Sequence, residues 1–194
     1  MYKQSVELFA SQISKIVKLS PEALQALLDC VEAGQLAKKE YILEPGGICD
    51  CIYYIHKGLI REYFIDEKGN DVSVWFGKEG DFAVLLSSFI TLEPGLTGLQ
   101  AMEASEVIVL KHVDLYRLYD RFHEIDRLGR ILTEQYFVAS EAHTRGFRHQ
   151  GALERYESFV SHNPELIRRL SLKHIASYLG VSLETLSRLR ARPH

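Results

Sequence analysis

The stretch LSLKHIASYLGVSLETLSRLR, residues 170–190, restricts this chain more than any other. It holds two short apolar patterns with one glycine between them. Ile175, Ala176 and Leu179 recur at the spacing of a single helix face. Ser171 is placed to cap that helix at its start. Gly180 follows the last apolar residue, where a left-handed backbone ends a helix without a Cβ clash. Val181 plugs the corner, Ser182 is a second N-cap, and Leu186 and Leu189 line the inner face of a second helix. Ala176 is small where the two helices must cross closely. This is the layout of a helix-turn-helix, whose second helix enters the major groove of DNA. An ordinary helical hairpin within a core satisfies the same apolar spacing.

Charge bears on that choice. The 194-residue chain carries a formal net charge of -3, but unevenly. Residues 165–194 hold six basic and two acidic side chains, and the remainder is acidic. A basic tail on an acidic body suits a polyanionic partner, although a solvated charged face has the same composition. The outward face of the second helix carries Glu184, Thr185, Ser187 and Arg188. Arg can bond a guanine edge bidentately and Glu can accept from cytosine N4. Glu184 also sits in the first turn, where a carboxylate favours the helix dipole, and it is spaced to pair with Arg188. Lys173, Arg190 and Arg192 are candidate phosphate contacts, with Ser182 at the helix start.

SLKHIASYLGVSLETLSRLR resembles the DNA-binding helices of the cyclic-AMP receptor protein and fumarate–nitrate regulator (Crp/Fnr) family of bacterial transcription factors. That family's recognition helix typically opens Ser-Arg-Glu-Thr, with Arg three residues beyond the Thr. Ser182, Glu184, Thr185 and Arg188 match, and Leu183 stands where the family often has Arg. The chain ends four residues after Arg190, so the helix-turn-helix is expected without a complete wing.

Upstream, LSPEALQALLDCVEAGQ reads as a helix capped by Ser20, with Pro21 in its first turn and Gly34 at its end. From Tyr41 the pattern turns to short strands. CIYYIHKGLIREYFIDEKGNDVSVWF implies two or three antiparallel strands with a tight turn near Gly69 and Asn70, and GLQAMEASEVIVL adds another pair. Short strands with Gly and Pro turns imply a barrel or sandwich with its core between Leu36 and Leu110. Helix, β-region, helix, helix-turn-helix is also the element order of the Crp/Fnr regulators. The resemblance therefore implies an α+β chain: a cyclic-nucleotide-binding-type β-roll (jelly-roll) sensor with a long dimerisation helix at about 113–145, together residues 1–145, then a helix-turn-helix domain over 146–194. Ile125, Leu128, Leu132, Gln135, Ala139 and Ala142 alternate three and four apart, which is a coiled-coil seam weakened by Gln135 and Gly129. A helix packed on its own barrel gives the same pattern.

In cyclic-AMP-binding relatives, a Phe-x-Gly-Glu segment and a later Arg-Ser-Ala segment hold the ribose and phosphate. Counting back from Glu106 and Val107 puts the Arg position at Gly95 and the Gly-Glu pair at Val84 and Leu85. GDFAVLLSSFITLEPGLTGLQAME contains no Arg or Lys, so a cyclic-AMP site is not expected. The pocket is vestigial or takes a less anionic effector, with Arg61, Val84, Leu85, Gly95 and Thr97 as its candidate residues and Lys57 or Arg61 as a disguised anion anchor. Cys30, Cys49 and Cys51 are too few and too closely spaced for the common cluster and zinc patterns, and they read as unpaired thiols. No P-loop, nucleophile elbow or paired metal motif is present. The expectation is a cytoplasmic homodimeric transcription regulator, not an enzyme, without cofactor or metal and away from membranes. Its partners would be double-stranded DNA, a small-molecule effector and, as the resemblance allows, RNA polymerase. The alternative is a small-molecule-binding β-roll whose helical tail contacts another protein.

Overall fold

The computed structural model describes residues 2–191. It opens with α1 (Tyr2–Ile16), which sequence patterning had left unassigned, followed by α2 (Pro21–Asp29). Phe9 and Ile13 on α1, and Val17 just beyond its end, lie four apart and are buried, so this helix is held by packing more than by propensity. Ser20 caps α2 by accepting from the Ala23 amide at 3.2 Å, as its position suggested. The helix ends at Asp29, however, not at Gly34. Residues Val31–Leu36 form strand β1, with Gly34 opposite Val107 in the strand at Ser105–Lys111. Sheet pairing across some seventy-odd residues has taken a segment whose local pattern continues a helix.

Seven further strands follow: β2 (Tyr41–Leu43), β3 (Cys51–Lys57), β4 (Ile60–Ile65), β5 (Asp71–Gly77), β6 (Phe82–Ala83), β7 (Gly98–Ala101) and β8 (Ser105–Lys111). They form two four-stranded sheets of order β1-β8-β3-β6 and β2-β7-β4-β5. β4 and β5 are the expected hairpin, turning through Asp66–Asn70 with Gly69 at φ 80. β7 and β8 do not pair with each other as expected. They lie in different sheets, β7 against β2 and β4, β8 against β1 and β3. Leu99, Val107, Ile55 and Ile60 all have under 3 % exposure in the core. Crossing between sheets lets both strands bury their inward residues in one interior, the solution of a β-roll.

The short α3 (Leu86–Thr91) precedes β7, and α4 (His112–Arg121) and α5 (His123–His149) follow β8. The helical segment expected from about residue 113 is thus two helices broken at Phe122. Ser20 donates to Glu124 Oε1 at 2.7 Å, tying the α2 cap to the start of α5. The chain then continues through α6 (Ala152–His162), α7 (Leu166–Arg169), α8 (Leu172–Leu179) and α9 (Leu183–Arg190). The α+β architecture of β-roll, long helix and helix-turn-helix is therefore present. Arg192 and any wing lie outside the described residues. No described helix is long and apolar enough to cross a membrane.

Candidate nucleic-acid interface and sensor cavity

The helix-turn-helix is built as its punctuation implied. Ser171 accepts from the His174 amide at 3.3 Å and Ser182 from the Thr185 amide at 3.2 Å. Gly180 adopts φ 64, and the Val181 amide reaches back to the Ala176 carbonyl at 3.0 Å, closing α8 in the way a left-handed glycine permits. Arg155 of α6 donates to the Leu179 carbonyl at 3.0 and 3.1 Å, satisfying another end group of α8. Ile175, Ala176, Leu179, Leu186 and Leu189 are buried in one cluster with Tyr156 and Phe159, and Val181 packs against it.

The second helix shows solvent the side chains expected to read DNA. Ser182, Glu184, Ser187, Arg188 and Arg190 are exposed, while Thr185 is half-buried. Arg188 donates to Thr185 Oγ1 at 3.2 Å and makes no ion pair with Glu184 among the described residues. The Glu184 carboxyl is nevertheless held below its ordinary range, first by its own backbone N–H at the helix start, then by Ser182 and by the charge of Arg188. Both readings of Glu184, dipole and partner, act on it together. Lys173 is exposed at the start of α8, on the side near Asp71 of the β-roll.

The helix-turn-helix is docked on its own β-roll. Leu59 and Phe76 of the roll belong to its buried cluster. The Ser73 amide donates to Ser177 Oγ at 3.1 Å. Arg169 donates to both Glu79 oxygens at 2.8 and 2.9 Å, to Glu103 at 2.5 Å and to the Gly58 carbonyl at 2.8 Å, and Lys78 pairs with Glu165. Burial works against the Glu79 charge, but the Arg169 hydrogen bonds outweigh it and hold this carboxyl down at about 2.

Arg61 belongs to this junction and not to an effector pocket. It is 1 % exposed, and its guanidinium donates to Asp71 at 2.5 and 2.6 Å, to Gln100 Oε1 at 2.7 and 2.9 Å and to Ser73 at 3.1 Å. His174 of α8 lies 3.3 Å away through Nδ1. Arg can only donate, so that nitrogen is the acceptor and the ring proton sits on Nε2. With its donors engaged, Arg61 cannot serve as an anion anchor for a ligand. Lys57, at the end of β3, is exposed.

Of the other expected pocket residues, Val84 lines a cavity of about 720 Å³ between the roll, α1, α4 and α5, and Leu85, Gly95 and Thr97 are not among its lining residues. Val84, Trp75, Leu86 and Tyr136 line it. Leu85 is buried, and its amide donates to Cys49 Sγ at 3.4 Å. Gly95 is clasped by the 46–47 turn through its carbonyl and amide at 2.7 and 2.9 Å. Thr97 donates to Glu62 Oε1 at 2.7 Å, a partner that motif comparison did not single out. No His, Cys, Asp and Glu grouping able to hold a metal occurs among the described residues. Burial raises all three thiols, Cys51 to about 11.

On α5 the expected seam divides. Ile125 and Leu128 are buried in their own protomer's core and are lost to a partner. Leu132 is half-buried there, while Gln135, Ala139 and Ala142 are exposed. Phe137 and Val138, outside the expected seam, are 63 % and 67 % exposed.

Residues 34–122 match the family of cyclic nucleotide-binding domains. The fold is similar to that of FixK2 from Bradyrhizobium japonicum, with TM-score 0.73, 20 % identity and 83 % of each chain covered. It is also similar to a Crp/Fnr-family regulator from Eubacterium rectale (TM-score 0.70, 13 % identity, 88 % of this chain and 82 % of that one). A third similar structure is the catabolite activator protein of Thermus thermophilus (TM-score 0.59, 17 % identity, 92 % and 84 %). No curated protein sequence matches this one. Residues 34–122 are thus similar to cyclic nucleotide-binding domains, and the chain shares its fold with these regulators.

Proposed function

We propose that this protein is a DNA-binding transcriptional regulator that acts as a homodimer, with α9 as its recognition helix. The observation that carries this reading is the disposition of α9. Its inner face is buried through Leu186 and Leu189, its outer face presents Glu184, Ser187, Arg188 and Arg190, and docking on the roll runs through α7 and α8. The recognition face is thus left clear. Thr185 holds Arg188 in place, which reduces the entropy lost when Arg188 engages a guanine edge. The similar structures include a transcriptional regulator and a catabolite activator by name, which supports the same reading.

The dimer face we assign is the stripe of half-buried Ile131 and exposed Gln135, Val138 and Ala142 of α5, flanked by Phe137. Its three-and-four spacing suits a two-stranded seam. Such a dimer places two recognition helices against half-sites about one helical turn, roughly 34–36 Å, apart. The effector is not cyclic AMP in this proposal, because the cassette lacks a basic residue and Arg61 is engaged elsewhere. Selection from a random duplex pool followed by anisotropy titration tests the function. A sequence-selective, salt-dependent complex is expected. Absence of any duplex binding at low salt would favour the alternative, a ligand-binding roll whose tail contacts another protein.

A further inference from the structure

One contact between the helix-turn-helix and the roll is made by a group that titrates near neutral pH. His174, in the first turn of α8, is half-buried, and its Nδ1 lies 3.3 Å from Arg61 Nη1. The guanidinium can only donate and does not lose its charge in a protein, so the contact holds while Nδ1 carries no proton. A protonated ring would set donor against donor and cation against cation at that distance. The charged groups acting on the ring are Arg61 of β4, Asp71 of β5 and Lys173 of α8 itself. Asp71 is the one that favours a proton on the ring, but both of its oxygens already accept from Arg61, at 2.5 and 2.6 Å. Of the other helices beside α8, α6 sends Arg155 to its far end, at the Leu179 carbonyl, and α9 adds Leu186 and Leu189 to the buried cluster.

We propose that this contact is a pH-sensitive latch: neutral His174 holds the helix-turn-helix on the roll, and an imidazolium at that position releases it. Burial, followed by the charge of Arg61, keeps the ring below the ordinary histidine range, with Asp71 acting against them and Lys173 in their direction. Once α8 leaves the roll, water reaches the ring and the ordinary range returns. Docking is therefore full above that range. Acidification below it favours the released state, which takes up the proton more readily. The other polar ties follow a different course. Glu79 is held down at about 2, and Asp71 and Glu165 are lowered as well, so these carboxylates keep their charge through about pH 5. Once released, α6–α9 remain joined to α5 through Gln150 and Gly151. Under the functional reading above, release would free the two recognition helices of a dimer from a fixed half-site spacing.

The test is amide hydrogen exchange on the full chain without DNA, at about pH 7.5 and about pH 5, with each rate divided by its intrinsic value at that pH. Peptides from β5 and α8 report on the junction, where the Ser73 amide donates to Ser177, and peptides from β8 report on the core. Junction protection should fall about tenfold at the lower pH while the core is unchanged, in keeping with one linked proton. His174→Gln keeps an amide acceptor and takes no proton, so its junction should be insensitive to pH. His143, whose ring lies 5.4 Å from that of Tyr178 on α8, is the second histidine at this junction. His143→Gln should keep the response of the unaltered chain. No fall in junction protection, or a fall that survives His174→Gln, overturns the proposal. Where that variant does not fold, the His174 ring resonance of the unaltered chain decides. Its titration midpoint should coincide with the loss of protection, and a ring that titrates with the junction intact overturns the latch. Because DNA is absent, failure here leaves the DNA-binding reading to its own titration.

Discussion

Arg61→Met removes one guanidinium and keeps most of the aliphatic stem, so it isolates what the charge does at the junction. The guanidinium contributes two hydrogen bonds to Asp71 and two to Gln100, from a site 1 % exposed. Breaking one side of a buried pair costs about 3–5 kcal/mol, chiefly because the partner charge is left alone. The Asp71 side chain is 29 % exposed, so water takes over part of its solvation and the lower end of that range applies. Gln100 is 7 % exposed and loses its donors, which adds about 1–2 kcal/mol. A total of about 4 kcal/mol is a large share of the 5–15 kcal/mol typical of a folded protein, and it corresponds to a midpoint lower by on the order of 10 °C. The assay is thermal and urea unfolding followed by circular dichroism at neutral pH. Arg61→Met combined with Asp71→Leu should recover more than half of the loss, since both charges then leave together. A loss under about 1 kcal/mol, or a double variant no more stable than the single one, would refute this account of the junction.

Arg188→Ala should weaken specific binding by about 1–3 kcal/mol and relax preference at one base pair per half-site, read by anisotropy on the selected duplex and its point variants; equal loss on random DNA would make Arg188 a phosphate contact. Val138→Glu should convert the dimer to monomer in sedimentation equilibrium while leaving the melting midpoint of the protomer nearly unchanged, and persistence of the dimer would move the seam off this stripe. The Glu79 carboxyl is depressed to about 2 and that of Asp71 is also lowered, so the stability they add is full above their ordinary range and is lost as pH falls through the folded values. Arg169→Gln should therefore flatten the decline in melting midpoint between about pH 5 and pH 2, and an unchanged profile would separate Glu79 from Arg169. Gly34→Ala should cost about 1–3 kcal/mol in urea unfolding, because its Cβ would sit 2.9 Å from Val107 Cγ2 across the sheet.

What could be read from the chain alone was whatever its own neighbours decide. The helix-turn-helix was legible because Ser171, Gly180 and Ser182 act on backbone groups within a few residues of themselves. The β4–β5 hairpin was legible for the same reason, its turn being closed by Asp66 and Gly69. Other outcomes depended on partners far along the chain. α2 stopped at Asp29 because β8 claims Val31–Leu36. β7 and β8 separated because two sheets share one interior. On α5, periodicity marked an apolar face but not its occupant, and only packing showed Ile125 and Leu128 spent on the protomer's own core while Val138 remains open. Arg61 and Glu62 make the point most sharply. They are adjacent in sequence, yet strand alternation sends one into an ion pair under the helix-turn-helix and the other to the opposite side of the sheet, where its hydrogen-bond partner is the Thr97 hydroxyl.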